Sequence, residues 1–99
     1  MAKYTVAVVD DFRDDAEECV RYLSEISDIG DIHLLTNPFE VPRLLKSETI
    51  DILFMDIEMP GASGLDIYAS IPESQRPVLV LVTNHDQFAL NGFKLNAAD

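Results

Sequence analysis

The sequence predicts an α/β domain, a doubly wound parallel sheet with helices on both faces. Three observations carry this. Strand-like and helix-like runs alternate four times along the 99 residues, the order that builds a parallel sheet with right-handed crossovers. The runs at 4–9 and 78–82 are apolar and rich in β-branched residues, as strands buried on both faces must be. Finally, polar residues close each apolar run: Asp10-Asp11, Thr36-Asn37, Asp56 and Thr83-Asn84.

The elements follow in order. Residues 4–9 form the first strand. Ala16, Cys19, Val20, Leu23 and Ile26 then recur at helical spacing, and Asp14, Asp15, Glu17, Glu18 and Arg21 fill the opposite, solvated face. The acids crowd the first turns, where the helix dipole favours them. Gly30 is expected to close this unit. Residues 32–35 form a short second strand, with His33 on its surface. A helix follows over 39–47; Pro42 would remove an interior hydrogen bond, so the regular helix is expected to begin near Val41 or Pro42. Residues 50–55 form the third strand and 64–71 a short helix that Pro72 helps to end. The fourth strand, Val78-Leu79-Val80-Leu81-Val82, is the most apolar run in the chain. Residues 86–95 are expected to be helical despite Gly92, with Phe88, Leu90 and Phe93 supplying core or a docking face. The chain then reaches Asp99 where a fifth strand would be expected, which points to truncation or an unordered tail and to one bare sheet edge.

Composition narrows the function. The length allows one domain, and 47% hydrophobic residues supply a real core. The formal net charge of −11, from 18 acidic against 7 basic residues, opposes binding to nucleic acid or anionic membrane. It favours cations and basic partners. Cys19, the single cysteine, cannot form an internal disulfide and reads as a small buried hydrophobe. No apolar stretch approaches the roughly 20 residues of a membrane span, and Met1-Ala2-Lys3 leads directly into a strand, without a signal peptide. A cytoplasmic protein is expected.

The chemistry concentrates in Ile52-Leu53-Phe54-Met55-Asp56-Ile57-Glu58-Met59-Pro60-Gly61. An aspartate that ends a buried strand is poorly placed for packing and well placed for chemistry, because ligands of open α/β sheets bind at the carboxyl ends of the strands. With strand order 2-1-3-4, Asp10, Asp11, Asp56 and Thr83 converge on one crevice. Clustered carboxylates repel one another unless a cation sits among them, and Mg²⁺ suits such oxygen donors. His33 and His85 lack the spacing of a zinc site. The plainer reading of Asp10-Asp11 is a helix cap, and that of Asp14 and Asp15 is a solvated helix face. Thr83-Asn84 also suits a cap, while Pro60, Gly61 and Gly64 read as loop-shaping residues.

Val8-Val9-Asp10-Asp11, Phe54 through Gly61, Ser63-Gly64-Leu65-Asp66 and Leu81-Val82-Thr83 together resemble the receiver domain of two-component response regulators. The resemblance covers the whole chain, in order and at the right spacings. The segment from Thr83 to Asp99 is similar to LytTR-type (AgrA/LytT-like) regulators. The resemblance implies a flavodoxin-like fold of order 2-1-3-4, with the fifth strand missing or not covered. It implies that Asp56 accepts a phosphoryl group from a sensor histidine kinase. It further implies that Asp10, Asp11, Asp56 and the backbone carbonyl of Glu58 bind Mg²⁺, and that Thr83, with Asn84 beside it, contacts the new phosphate. The family lysine that pairs with the phosphate would lie beyond residue 99; Lys94 is expected on the fourth helix and cannot replace it. A C-terminal DNA-binding effector domain of LytTR type, absent from this chain, would carry the output in transcription regulation. A homodimer through the fourth helix or the bare sheet edge is a further implied partner. The resemblance implies a phosphoacceptor rather than an enzyme. Two other readings stand beside it. One is a docking module that no longer takes phosphate. The other is an aspartyl-phosphate phosphatase, which needs an acid two residues after its nucleophile; that position after Asp10 is held by Phe12.

Overall fold

A computed structural model describes residues 3–57, 59, 61, 64–82 and 94–95. Its elements run β1 (Tyr4–Val9), α1 (Arg13–Ser24), β2 (Ile29–Leu35), a 3-10 turn (Pro38–Glu40), α2 (Val41–Ser47), β3 (Ile52–Asp56), α3 (Gly64–Ala69), a second 3-10 turn (Glu73–Gln75), β4 (Val78–Val82) and β5 (Lys94–Leu95). The sheet order is β2-β1-β3-β4-β5. The first four strands are parallel in the expected order 2-1-3-4, the flavodoxin-like arrangement.

Alternating side chains divide the core into two layers. Ala7, Val9, Leu53, Met55 and Leu79 point to the face covered by α2 and α3, where they meet Val41, Leu45, Ile67 and Ile71. Val6, Val8 and Phe54 point to the other face, against Ala16 and Leu23 of α1. Cys19 and Val20 pack half-buried beside them. At about 25 cal/mol per Å² of apolar area removed from water, this burial is the main stabilising term.

Local chemistry explains the boundaries. The Asn37 side chain accepts a hydrogen bond from the Phe39 N–H at 3.0 Å, which turns the chain into the 3-10 segment. The regular helix α2 then begins at Val41, with Pro42 in its first turn, where no interior hydrogen bond is lost. His33 lies half-buried on β2, its Nε2 3.9 Å from Glu48 Oε1.

Several expectations are corrected. Gly30 lies inside β2 rather than closing the α1 unit. The register moves from Tyr4↔Ile29 to Val6↔Ile32, so β2 carries one residue more than β1 there. A glycine inside a strand marks such an irregularity. The third strand starts at Ile52, not at residue 50, because Asp51 bends the chain and bonds back to Thr5. The third helix ends at Ala69 rather than at 71; the Ser70 and Ile71 N–H groups bond within a closing turn.

Finally, Lys94–Leu95 is a strand, not the end of a helix. It pairs antiparallel with β4 through Val80↔Leu95 and Leu81↔Lys94. The β4 edge thus carries a partner at this point, where a bare edge was expected. Unpaired backbone groups on an edge strand favour any extended segment within reach, and helix propensity is too weak a preference to oppose them. The remainder of the expected fourth helix, with Phe88, Leu90 and Phe93, lies outside the described residues.

Candidate functional site

Two carboxylates reach the same level because β1 and β3 are neighbours. Val9 pairs with Met55, so the next residues, Asp10 and Asp56, emerge side by side at the carboxyl edge. The backbone on both flanks is tied down: Asp10 N–H donates to the Leu35 carbonyl at 3.1 Å, and Ile57 N–H donates to the Val82 carbonyl at 2.9 Å. Asp10 is 5% and Asp56 8% exposed, and among the described residues they are the only buried charged side chains. Asp11 stands exposed beside them. One carboxylate oxygen from each of Asp10, Asp11 and Asp56 lies within 4.8 Å of the others.

The electrostatics follow from this crowding. Asp10 is raised from 3.8 to about 7, first by burial and then by the charges of Asp56 and Asp15, while a hydrogen bond from the Phe12 N–H works in the opposite direction. That bond, 3.0 Å to Oδ1, closes a turn ahead of α1 and is not the helix cap expected of the acid pair: the N-cap position is Phe12, and no side chain caps the helix. Asp15, expected to be a solvated helix residue, is half-buried and adds to the field at Asp10.

A divalent cation would remove this repulsion. The three donors are hard oxygens, the set that Mg²⁺ prefers over softer ions. Their close approach, with two of the three buried, fits such an ion better than it fits an ordinary acidic surface.

Beside Asp56 opens a pocket of about 70 Å³ lined by Asp56, Ile57, Gly64, Leu65 and Leu81. One water needs roughly 10–15 Å³ on this measure, so the space suits a small tetrahedral group. Gly61, in the loop before α3, has φ +78°, a left-handed conformation that glycine adopts at least cost. Its expected loop-shaping role holds. Gly64 differs: it is the first residue of α3, is buried, and lines the pocket.

The structure thus brings together Asp10, Asp11 and Asp56. Glu58, Thr83, Asn84 and His85 lie outside the described residues. Sequence reasoning did not identify Leu65, Leu81 or Gly64 as pocket residues. Their only signal is position: Leu81 lies one residue before the end of β4, and Gly64 and Leu65 open α3.

Fold and site define a flavodoxin-like α/β domain with a carboxylate-lined crevice at its carboxyl edge. Within that class the chain belongs to the response regulator receiver domain family, whose model matches residues 6–99. It is 34% identical over 95 residues to the transcriptional regulatory protein NatR of Bacillus subtilis, covering 95% of this chain and 41% of that protein. It is 37% identical over 93 residues to the sensory transduction protein LytR of Staphylococcus haemolyticus, covering 93% and 36% respectively. The chain spans about two-fifths of the length of such curated relatives. Among solved structures it is similar to the response regulator TrrA of Thermotoga maritima in complex with Mg²⁺-BeF, with TM-score 0.71, 27% identity, and coverage of 89% of this chain and 76% of that one. Among the described residues, no helix is long and apolar enough to cross a membrane.

Proposed function

We propose that this domain accepts a phosphoryl group on Asp56 from a sensor histidine kinase and passes the signal to an output domain. The observation that carries the reading is the placement of Asp56. It is a buried carboxylate at the end of β3, clustered with Asp10 and Asp11 and open on one side to a pocket of about 70 Å³.

An Asp56 oxygen attacks phosphorus, the N–P bond of the kinase phosphohistidine breaks, and the imidazole leaves with that electron pair. The chain contributes position and charge, as phosphoryl transfer demands. Strand pairing holds the Asp56 carboxylate at the pocket mouth, while Asp10 and Asp11 fix the charge on its other flank. Mg²⁺ is the proposed cofactor, held by Asp10, Asp11, Asp56 and the Glu58 backbone carbonyl. When bound, it neutralises the carboxylates and the phosphoryl oxygens. Thr83, with Asn84, is proposed to hydrogen-bond the transferred group.

The domain is on this reading a cytoplasmic phosphoacceptor and not a turnover enzyme. Its proposed output is a LytTR-type DNA-binding domain, which the likeness to a transcriptional regulatory protein supports. DNA contact would belong to that domain, because a net charge of −11 opposes it here. The full-length protein is proposed to dimerise through the segment after β4.

Incubation with Mg²⁺ and acetyl phosphate, followed by intact mass measurement, tests the reading. One phosphoryl adduct is expected in the wild type and none in Asp56→Asn. An unmodified wild type would overturn the proposal.

A further inference from the structure

We infer that Gly64 is a positioning residue for phosphoryl transfer at Asp56: its missing side chain lets α3 close onto Met55, and that contact sets the wall of the pocket beside the acceptor carboxylate. The inference rests on the phosphoacceptor reading above and extends it to a residue with no side chain to offer metal or phosphate.

The first question is why position 64 holds glycine. Conformation does not require it, since Gly61 is the only described residue with positive φ. Helix propensity argues against it, as alanine is favoured by up to about 1 kcal/mol inside helices. Space is the remaining reason. A Cβ added at Gly64 would fall on the Met55 Sδ, 3.0 Å from Met55 Cγ and 3.5 Å from Met59 Cε. The Met55 side chain is 0% exposed and sits in the α2/α3 core layer with Met59, Ile67 and Leu79. A close-packed interior gives it little room to swing aside.

The second question is what this packing controls. Met55 immediately precedes Asp56 on β3, so its backbone sets where the acceptor carboxylate emerges. Gly64 and Leu65 form the opposing wall of the pocket. The Gly64–Met55 contact therefore fixes the distance between acceptor and wall. A side chain at 64 must push α3 outward or displace Met55, and either movement changes the space in which the phosphoryl group is aligned.

The test is a complementary exchange. Gly64→Ala overfills the contact, and Met55→Val empties it while keeping a good strand former. Acetyl phosphate labelling, at saturating Mg²⁺ and at a temperature where circular dichroism shows each variant folded, is expected to slow roughly ten- to a hundredfold in both single variants. The double variant, in which the alanine methyl occupies space vacated by the thioether, is expected to recover most of the rate. Mg²⁺ affinity by calorimetry is expected to change less than the labelling rate throughout, because Asp10 and Asp11, two of the three clustered carboxylates, lie outside this contact. A purely structural glycine would lower the melting temperature and leave the labelling rate of the folded protein unchanged, which overturns the inference. Should Gly64→Ala fail to fold, Met55→Val against the double variant decides: equal rates overturn it. An unlabelled wild type would instead refute the phosphoacceptor reading, so the two failures are distinguishable.

Discussion

Thr5 and Asp51 are bonded in both directions across 46 residues of chain. The Thr5 N–H donates to the Asp51 carboxylate at 2.8 Å, and the Asp51 N–H donates to the Thr5 carbonyl at 2.8 Å. The Asp51 carbonyl in turn accepts from the Val78 N–H at 3.0 Å. One residue thus ties the starts of β1, β3 and β4 at the end of the sheet opposite the acid cluster. Asp51→Ala leaves the Thr5 N–H to water and is expected to cost about 1 kcal/mol. Asp51→Asn keeps an acceptor and should cost less. Urea denaturation checks this, and acetyl phosphate labelling of the folded variants should match wild type.

Arg76 is expected to anchor α3 from its far end. Its Nε donates to the Ile71 carbonyl at 2.8 Å and an Nη to the Ala69 carbonyl at 3.0 Å, and the guanidinium lies 5.5 Å from the centre of the Tyr68 ring. A cation at the last carbonyls of a helix suits its dipole. Lysine cannot reproduce the two-pronged donation. Arg76→Lys and Arg76→Ala should therefore both lose stability, by roughly 1–2 kcal/mol for alanine. Tyr68→Phe, which removes the hydroxyl bond to the Pro77 carbonyl at 2.7 Å, should lose about 1 kcal/mol. Denaturation curves showing Arg76→Lys as stable as wild type would defeat this account.

The strands and the acid trio were legible in the sequence for the same reason. A run such as Val78-Leu79-Val80-Leu81-Val82 has one low-energy use, a buried strand, and an aspartate closing such a run stands out against packing. What was not legible depends on pairing or on space. The irregularity at Gly30 exists only in the register between β1 and β2. The strand Lys94–Leu95 is two residues long, too short for any periodicity. Leu65 and Leu81 look like core residues in sequence, because an apolar side chain on a pocket wall obeys the same pattern as one in the interior. Gly64 reads as a turn glycine until Met55 is found where its side chain would be.

Cys19 is expected to be chemically quiet. Burial, then the charges of Asp10 and Glu18, push its thiol from 9.0 to about 11. A rise of about two pH units leaves roughly one hundredth of the thiolate at a given pH, and the thiolate is the nucleophile. Alkylation by iodoacetamide near pH 8 should accordingly be about a hundredfold slower in the folded protein than in urea. Comparable rates in the two states would show that the thiol is not held in this environment.

Asp10 makes the metal-free domain sensitive to pH. Its native value of about 7, against 3.8 ordinarily, means that the folded state holds a proton more tightly than the unfolded state between those values. The resulting stabilisation is fully present below about pH 4 and is lost as pH rises through about 7. Without Mg²⁺, the unfolding free energy should therefore fall from about pH 4 to about pH 7 and be higher at pH 5 than at pH 8, with this one group contributing on the order of a few kcal/mol. Asp10→Asn removes the charge and keeps an acceptor for the Phe12 N–H. It should be more stable than wild type near pH 8 and flatter across the range. Added Mg²⁺ should raise wild-type stability at pH 8 through its preference for the folded carboxylate cluster, and should raise that of Asp10→Asn less. Urea titrations of both proteins at the two pH values, with and without the ion, check each step. A wild type that gains stability as pH rises, or an Asp10→Asn variant that is less stable at pH 8, would show that Asp10 is not the strained member of the cluster.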